Sequence, residues 1–323
     1  MERVWVKAGA RLHLGQLDLN GSLGRLYGGL GLALGWPRVE LSAVKQSGLS
    51  IECPGEEKRL EAITLQYLNR YRLPGVKLKV RNTVPSHSGF GSGTQLALAI
   101  GTAITKLYGL SVPPAELSEV TTRESSRSGL GIGAFFEGGF LVDGGKAFED
   151  GAPSEKAPPI LARLLFPEEW SVILALPRRG EKMFGEGEVR AFRDLPPMEE
   201  ETSGRICRLL LMKLLPGLIE KNLDAFGQAL EEIQTHVGDY FAPVQGGRFA
   251  CGESRAVAGC FSEAGLVGVG QSSWGPTVYG FCHISRRESL LERVRTQSGP
   301  DVEVWATGGN NQGAQWGREG GEI

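Results

Sequence analysis

Several large classes of function depend on features this sequence has little of. No stretch approaches the roughly 18 uncharged apolar residues of a membrane span, and Met1-Glu2-Arg3-Val4 runs into a strand-like pattern without the apolar core of a signal peptide. The expectation is a cytoplasmic protein with no membrane partner. Only five cysteines occur, Cys53, Cys207, Cys251, Cys260 and Cys282, odd in number and without C-x-x-C spacing. That excludes a disulfide framework or a cysteine metal cage and leaves reduced thiols. Neither charge sign dominates: Lys+Arg 35 against Asp+Glu 37 gives a net charge of -2, so no global field attracts nucleic acid and any phosphate recognition must be local. There is no Gly-Lys-Ser/Thr ending of a Walker A loop and no dinucleotide fingerprint.

Glycine is abundant instead. The chain has 47 among 323 residues, about twice the usual ~7%, clustered at 21 to 35, 89 to 93, 129 to 145, 265 to 280 and 308 to 321. The sharpest cluster is Pro85-Ser86-His87-Ser88-Gly89-Phe90-Gly91-Ser92-Gly93-Thr94-Gln95. Val76, Leu78 and Val80 alternate before it as in a half-buried strand, and Leu96, Ile100, Ile104 and Leu107 recur after it at helical spacing. The loop thus delivers the chain onto a helix N-terminus, where backbone N–H groups and the helix dipole favour an anion such as phosphate or diphosphate. An ordinary helix-capping turn has the same local signature.

The length suits two domains. Asn20-Gly21 marks a hairpin between strands through Ala10-Arg11-Leu12-His13-Leu14 and Gly28-Gly29-Leu30-Gly31-Leu32, and on the first strand Arg11 and His13 share a face. Helices are expected over Glu56 to Tyr71 and from Pro113-Pro114 onward, with Glu124 near the latter's end. Ser128 to Gly133 reads as a second glycine loop before a strand through Phe140 to Val142. Gly144 to Pro159 reads as a linker between domains at 1–150 and 160–323. In the second half, Trp170 to Leu176 is a buried strand followed by basic Arg178, Arg179 and Lys182. Helices follow at Glu200 to Leu215, Leu223 to Val237 and Glu253 to Ala264, with Phe241 to Gly247 as a site-facing loop. Gly268 to Pro276 makes a third glycine loop before a strand to Cys282, then a helix near Arg286 to Arg295 and a strand at Val302 to Trp305. This order fits an antiparallel, ferredoxin-like sheet with helices on one face.

Three glycine segments in this order, with Pro85 four residues before Gly89-Phe90-Gly91-Ser92, resemble the three motifs of the GHMP kinase superfamily. The resemblance spans nearly the whole chain and implies an α+β fold in two domains, an N-terminal α+β domain and a ferredoxin-like C-terminal domain. The departures point to a branch. Where those kinases carry the aspartate of Ser-Gly-x-Asp, this chain has Gly131 in Ser128-Gly129-Leu130-Gly131, and the second serine of the phosphate loop is Gly93. A glycine cannot take or orient a proton. Arg11-Leu12-His13-Leu14-Gly15, Gly91-Ser92-Gly93-Thr94-Gln95, Gln245-Gly246-Gly247 and Gln271-Ser272-Ser273-Trp274-Gly275-Pro276-Thr277 are similar to the non-kinase branch, the β-ribofuranosylaminobenzene 5'-phosphate synthases of methanopterin biosynthesis.

What that resemblance implies is a decarboxylating phosphoribosyltransferase joining 4-aminobenzoate to phosphoribosyl diphosphate, with Mg2+ as cofactor, and a homodimer is expected. In that scheme Gly89, Gly91, Ser92, Gly93 and Thr94 hold the diphosphate, and Arg11, His13 and His87 are the catalytic candidates. Arg25, Gln245, Ser272 and Trp274 are substrate-binding candidates, Phe241 is a further ring-stacking candidate, and Glu124 and Thr94 are candidate metal ligands. Arg11, Arg25 or the Arg178-Arg179 pair are candidates for the 5'-phosphate or the carboxylate. A small-molecule kinase with another base, or a non-catalytic metabolite-binding protein, are the alternative readings.

Overall fold

The structure is a computed structural model that describes residues 2–53, 55–120, 128–149, 152–178 and 195–319. Strands β1 (Arg3–Asp18) and β2 (Arg25–Lys45) form one long hairpin around Asn20-Gly21. Asp18 fixes the turn by accepting from the backbone N–H groups of Asn20 at 2.7 Å and Gly21 at 3.2 Å. β3 (Gly48–Glu52), α1 (Glu57–Arg70) and β4 (Gly75–Asn82) follow, giving a sheet ordered β4 between β2 and β3. α2 (Ser92–Leu107) lies across this sheet.

α2 departs from the amphipathic stripe expected of it: nearly every one of its residues is buried, polar Gln95, Thr102 and Thr105 included. A helix apolar almost all round belongs inside. Gly101 allows its close crossing with α1, because a Cβ there would sit 2.4 Å from the Tyr67 ring. α3 (Pro114–Glu119), α4 (Leu130–Phe136), β5 (Phe140–Asp143), β6 (Lys146–Glu149), β7 (Ala152–Pro153) and β8 (Ile160–Leu164) come next.

The second sheet contains β9 (Trp170–Pro177), β10 (Val267–Gln271), β11 (Val278–His283) and β12 (Val302–Thr307), ordered β10-β11-β9-β12 and antiparallel throughout. Helix α5 (Glu200–Leu209), a π-helical turn (Leu210–Leu214) and α6 (Leu215–Ile219) pack against α7 (Leu223–Gln245), and α7, α8 (Gly252–Ala264) and α9 (Arg287–Ser298) pack on this sheet. This is the two-domain α+β architecture expected from the sequence.

Four local expectations are corrected. Ser128 to Gly133 is no loop, since Leu130 opens helix α4. Phe241 to Gln245 is no loop either, because α7 runs through Pro243 and ends at Gly246, whose left-handed backbone (φ 81) closes it. The segment 144–159 holds β6 and β7, and β6 pairs with β2. The chain also returns to the first sheet, since β8 pairs with β5 and a last strand, β13 (Gln315–Glu319), pairs with β1. No helix among the described residues is long and apolar enough to cross a membrane.

Candidate active site

The two halves meet where three glycine-bearing stretches touch. Register shifts between Gly9 and Arg11 and between His13 and Gly15 isolate the triplet Arg11-Leu12-His13 within β1. Such bulges aim side chains at a chosen place; here Arg11 reaches the glycine loop of 89–93, while the His13 ring lies beside Gly15 and Gly29. The backbone N–H of Arg11 donates to Phe90 O at 3.0 Å, and its Nη1 donates to Gly89 O at 2.7 Å. Ser272, fully buried, clamps the same point: its Oγ accepts from His13 N–H at 3.0 Å and donates to Gly89 O at 2.8 Å. Ser272 therefore ties loop to strand, and both of its contacts are structural.

The loop opens onto α2 as expected. Gly91 stands just before the helix with φ 69, and no side chain caps that helix end. Ser92, Gly93 and Thr94 form the first turn; Thr94 N–H donates to Gly91 O at 3.1 Å, which leaves the N–H groups of Ser92 and Gly93 as the helix-start donors. Arg11 runs beneath Gly91, with Cγ, Nε and Cζ at 3.1, 3.2 and 3.3 Å from where a Cβ would be. The anion cradle thus has a guanidinium for its floor. His87, exposed at the loop tip with φ 54, lies outside this buried joint.

At Gly131, where the resemblance places the kinases' aspartate, the packing is tight. A Cβ on Gly131 would meet Thr94 Cγ2 at 3.1 Å, and Gln95 Nε2 donates to Gly131 O at 2.8 Å. α4 is seated directly on the first turn of α2. Gly29 and Gly31 let α4 approach the sheet, since Leu130 Cδ1 lies 3.0 and 3.1 Å from their absent Cβ positions.

His13 is buried, and its pKa is pushed down to about 3, by burial first and by the Arg11 charge second. It is therefore neutral at physiological pH. Gly15 N–H donates to Nδ1 at 3.4 Å, which assigns the ring proton to Nε2. Histidine in this state donates a hydrogen bond and cannot act as a charged general acid. Because the folded pKa lies below the ordinary 6.5, the contribution to stability is complete above pH 6.5 and is lost as pH falls from there toward 3. His13→Gln is expected to flatten the fall in unfolding free energy between pH 6.5 and 5, by about 0.7 kcal/mol per pH unit at the upper end and about 1.4, one proton's worth, at the lower. Urea unfolding of both proteins across that window measures it, and parallel slopes would contradict the assignment.

A carboxylate that the sequence reading passed over lies nearby. Asp143 Oδ2 and His13 Nε2 face the same gap, 3.5 and 3.4 Å from where a Gly29 Cβ would be. Asp143 is fully buried; burial raises its pKa, against hydrogen bonds from Ser128 Oγ (2.7 Å) and the N–H groups of Gly145 (2.9 Å) and Gly129 (3.0 Å). It pins the start of α4. The available signal was a charged residue closing the apolar strand Phe140-Leu141-Val142 ahead of Gly144-Gly145.

Beside the joint is a small crevice of about 30 Å³, open to solvent, lined by His13 and Gln16 of β1, Gln234, Phe241 and Gln245 of α7, Arg248, Gln271 and Trp274. Phe241 and Trp274 form one wall, edge to face with centroids 4.6 Å apart. Gln234 bridges the halves behind it, donating to Leu14 O at 2.8 Å and accepting from Gln271 N–H at 3.0 Å. Trp274 and Gln245 are thus at the crevice, as expected. Arg25 is elsewhere: Nε and Nη2 each donate at 2.6 Å to the carbonyls of Gly144 and Gly145. Arg178 pairs with Glu303 on the second sheet at 2.9 Å. Glu124, Arg179 and Lys182 lie outside the described residues. Arg248, which no sequence motif flagged, is at the crevice.

Comparison with known proteins fits this picture. Residues 59–139 match the GHMP kinases N terminal domain and residues 214–300 the GHMP kinases C terminal domain. The chain is 36% identical over 316 residues to the beta-ribofuranosylphenol 5'-phosphate synthase of Archaeoglobus fulgidus, covering 95% of this chain and 97% of that one. It is 37% identical over 338 residues to that of Methanocaldococcus jannaschii, covering 95% and 98%. Among solved structures, L. major mevalonate kinase in complex with R-mevalonate superposes with a TM-score of 0.70 at 13% identity, covering 95% of this chain and 96% of that one; that likeness is one of fold.

Proposed function

Because the chain belongs to the beta-ribofuranosylphenol 5'-phosphate synthase family, within the GHMP fold, we propose that it is a decarboxylating phosphoribosyltransferase of methanopterin biosynthesis. Its substrates are phosphoribosyl diphosphate and a para-substituted benzoate. The relatives' name specifies a phenol product, whereas the sequence reading named the aminobenzene. Hydroxyl and amine both push electrons toward the para carbon, so one mechanism serves 4-hydroxybenzoate and 4-aminobenzoate alike.

The bond from the anomeric carbon to the diphosphate oxygen breaks, and the electron pair leaves with the diphosphate. The ring carbon bearing the carboxylate attacks the resulting cation-like centre, and the C–CO2 electron pair returns to the ring as CO2 departs. No hydroxyl has to be deprotonated. The observation carrying this reading is Gly131 itself: a glycine stands where a kinase's aspartate is expected, packed so that a Cβ would lie 3.1 Å from Thr94 Cγ2, while the uncapped start of α2 above Arg11 remains. The N–H groups of Ser92 and Gly93 receive the charge developing on the leaving diphosphate, and His13, which lines the crevice, is neutral.

Among the described residues no group of three His, Cys, Asp or Glu could hold a metal, so Mg2+ fits as an ion carried by the diphosphate, which needs few protein oxygens. The Ser92 and Thr94 hydroxyls at the helix start are the candidates here. When bound, such an ion neutralises leaving-group charge. A cytoplasmic homodimer belongs to the same proposal.

Incubation of purified protein with phosphoribosyl diphosphate, Mg2+ and either benzoate is expected to release CO2 with one aryl riboside per CO2. Absence of both products with both acceptors overturns the reading. Restoring the kinase residue tests it from the other side. Gly131→Asp should yield no ATP-dependent phosphorylation and should lower riboside formation at least ~10-fold, because the new side chain displaces Thr94 from the first turn of α2. Phosphoryl transfer gained by that variant would favour the kinase alternative.

A further inference from the structure

Resting on that reading, we propose that Arg248 recognises the carboxylate of the aryl acid, and that Asp239 holds the guanidinium until the acid replaces it. The acid enters as an anion and needs a cation beside an aromatic wall. Arg11 is committed beneath the phosphate loop, Arg25 to the Gly144 and Gly145 carbonyls, and Arg178 to Glu303. Among the described residues lining the crevice, Arg248 is the one Lys or Arg, and Asp239, which pairs with its guanidinium, is not part of that lining.

The backbone brings it there by a specific route. α7 ends at Gly246 with φ 81, and Gly247 follows with φ 150, so the chain doubles back. It comes to rest on Gly238, one face of α7 below the crevice rim. A Cβ on Gly238 would lie 3.1 Å from Arg248 O and 3.2 Å from Arg248 Cβ. The Gln245-Gly246-Gly247 stretch, otherwise without a role, is what returns residue 248 to the wall carrying Phe241 and Trp274.

Asp239 receives Arg248 as a carboxylate ligand would be received: Nη2 donates to Oδ2 at 2.9 Å and Nε to Oδ1. This is the two-point geometry that a benzoate carboxylate presents. Both side chains are about half exposed, 54% and 52%, so water screens the pair and exchange of one carboxylate for another costs little. The weakness also suits the chemistry. A cation gripping the carboxylate tightly would stabilise the acid more than the transition state in which CO2 leaves with its charge passed to the ring, and would slow the reaction. A screened, competing pair orients the acid and lets it go.

The test compares wild type, Arg248→Gln, Arg248→Lys and Asp239→Asn. Arg248→Gln should raise KM for 4-hydroxybenzoate at least ~10-fold while KM for phosphoribosyl diphosphate stays within about twofold. Arg248→Lys, keeping the charge without the fork, should recover part of the loss, and Asp239→Asn should lower the benzoate KM by freeing Arg248. That opposite sign cannot come from misfolding. Calorimetric titration with 4-hydroxybenzoate and with phenol separates carboxylate recognition from ring binding: only the first should weaken in Arg248→Gln. An unchanged benzoate KM, or equal rises in both KM values, overturns the assignment even if the wild type is an active synthase. Arg248-dependent benzoate binding in a protein that releases no CO2 would support the assignment and sink the synthase.

Discussion

Gly91→Val should leave a folded protein that transfers ribose about 10²- to 10³-fold more slowly, the size of loss that follows removal of donors to a developing anion. Gly91 has φ 69, and a side chain there would press on Arg11 Cγ, Nε and Cζ at 3.1 to 3.3 Å. The left-handed backbone costs a branched residue about 1–2 kcal/mol, which a chain with an interior of this extent tolerates. The neighbour is the flexible far part of Arg11, so the fold gives way locally. What is lost is the cradle: Arg11 moves from beneath it, and the first N–H groups of α2 no longer point where the leaving diphosphate needs them. Steady-state CO2 release with a thermal melt checks both halves of the expectation. A melt near wild type with kcat/KM within threefold of wild type would remove this loop from catalysis.

Gly89→Ala, two residues earlier, should instead abolish the fold's central joint. A Cβ on Gly89 would lie 2.1 Å from Ser272 O, a backbone atom that cannot step aside, and the position has φ 88. On the other side, Gly275 packs so closely that its own Cβ would sit 2.3 Å from Gly89 N. Opening this contact also strains the bonds from Arg11 Nη1 and Ser272 Oγ to Gly89 O. Together these place the cost at about 3 kcal/mol or more, in the range of backbone strain combined with a broken buried network. The melting temperature should fall by ~6–12 °C, or the variant should be recovered only as aggregate. Gly24→Ala is the control, because Gly24 shares a positive φ of 76 but has open space around it. If both variants melt alike, the backbone angle alone explains the effect and the joint at Ser272 is not what holds the halves together.

Much of this was legible in local pattern. Asn20-Gly21 fixed the β1–β2 hairpin through turn chemistry, and the change from alternation in 76–80 to helical spacing after Leu96 placed the phosphate loop between β4 and α2. Where the pattern misled, burial had overridden it. Ser128 to Gly133 has the composition of a loop, yet Gly131 and Gly133 are helical because their missing side chains let α4 pack on Thr94 and Ile160. Phe241 to Gly247 reads as a loop, yet Pro243 sits in the last turn of α7, where the helix tolerates one lost backbone bond.

The sequence by itself determined a glycine loop leading onto a helix start, a glycine at 131 where the resemblance places an aspartate, and a family resemblance covering nearly the whole chain. Local spacing is enough for the first two, since each depends on residues within about ten positions of one another, and the resemblance needs only the order of several such stretches along the chain. Tertiary structure alone decided which groups share the site. Gly89, Arg11 and Ser272 meet across separations of 78 and 183 residues, and Arg248 reaches the crevice only because Gly246 and Gly247 turn it back onto Gly238. Tertiary structure also decided the charge of His13. A histidine beside an arginine in an alternating strand reads as an exposed, titratable face; sealed under the loop and next to Arg11, it stays neutral with a pKa of about 3, because burial and a like charge both oppose its proton.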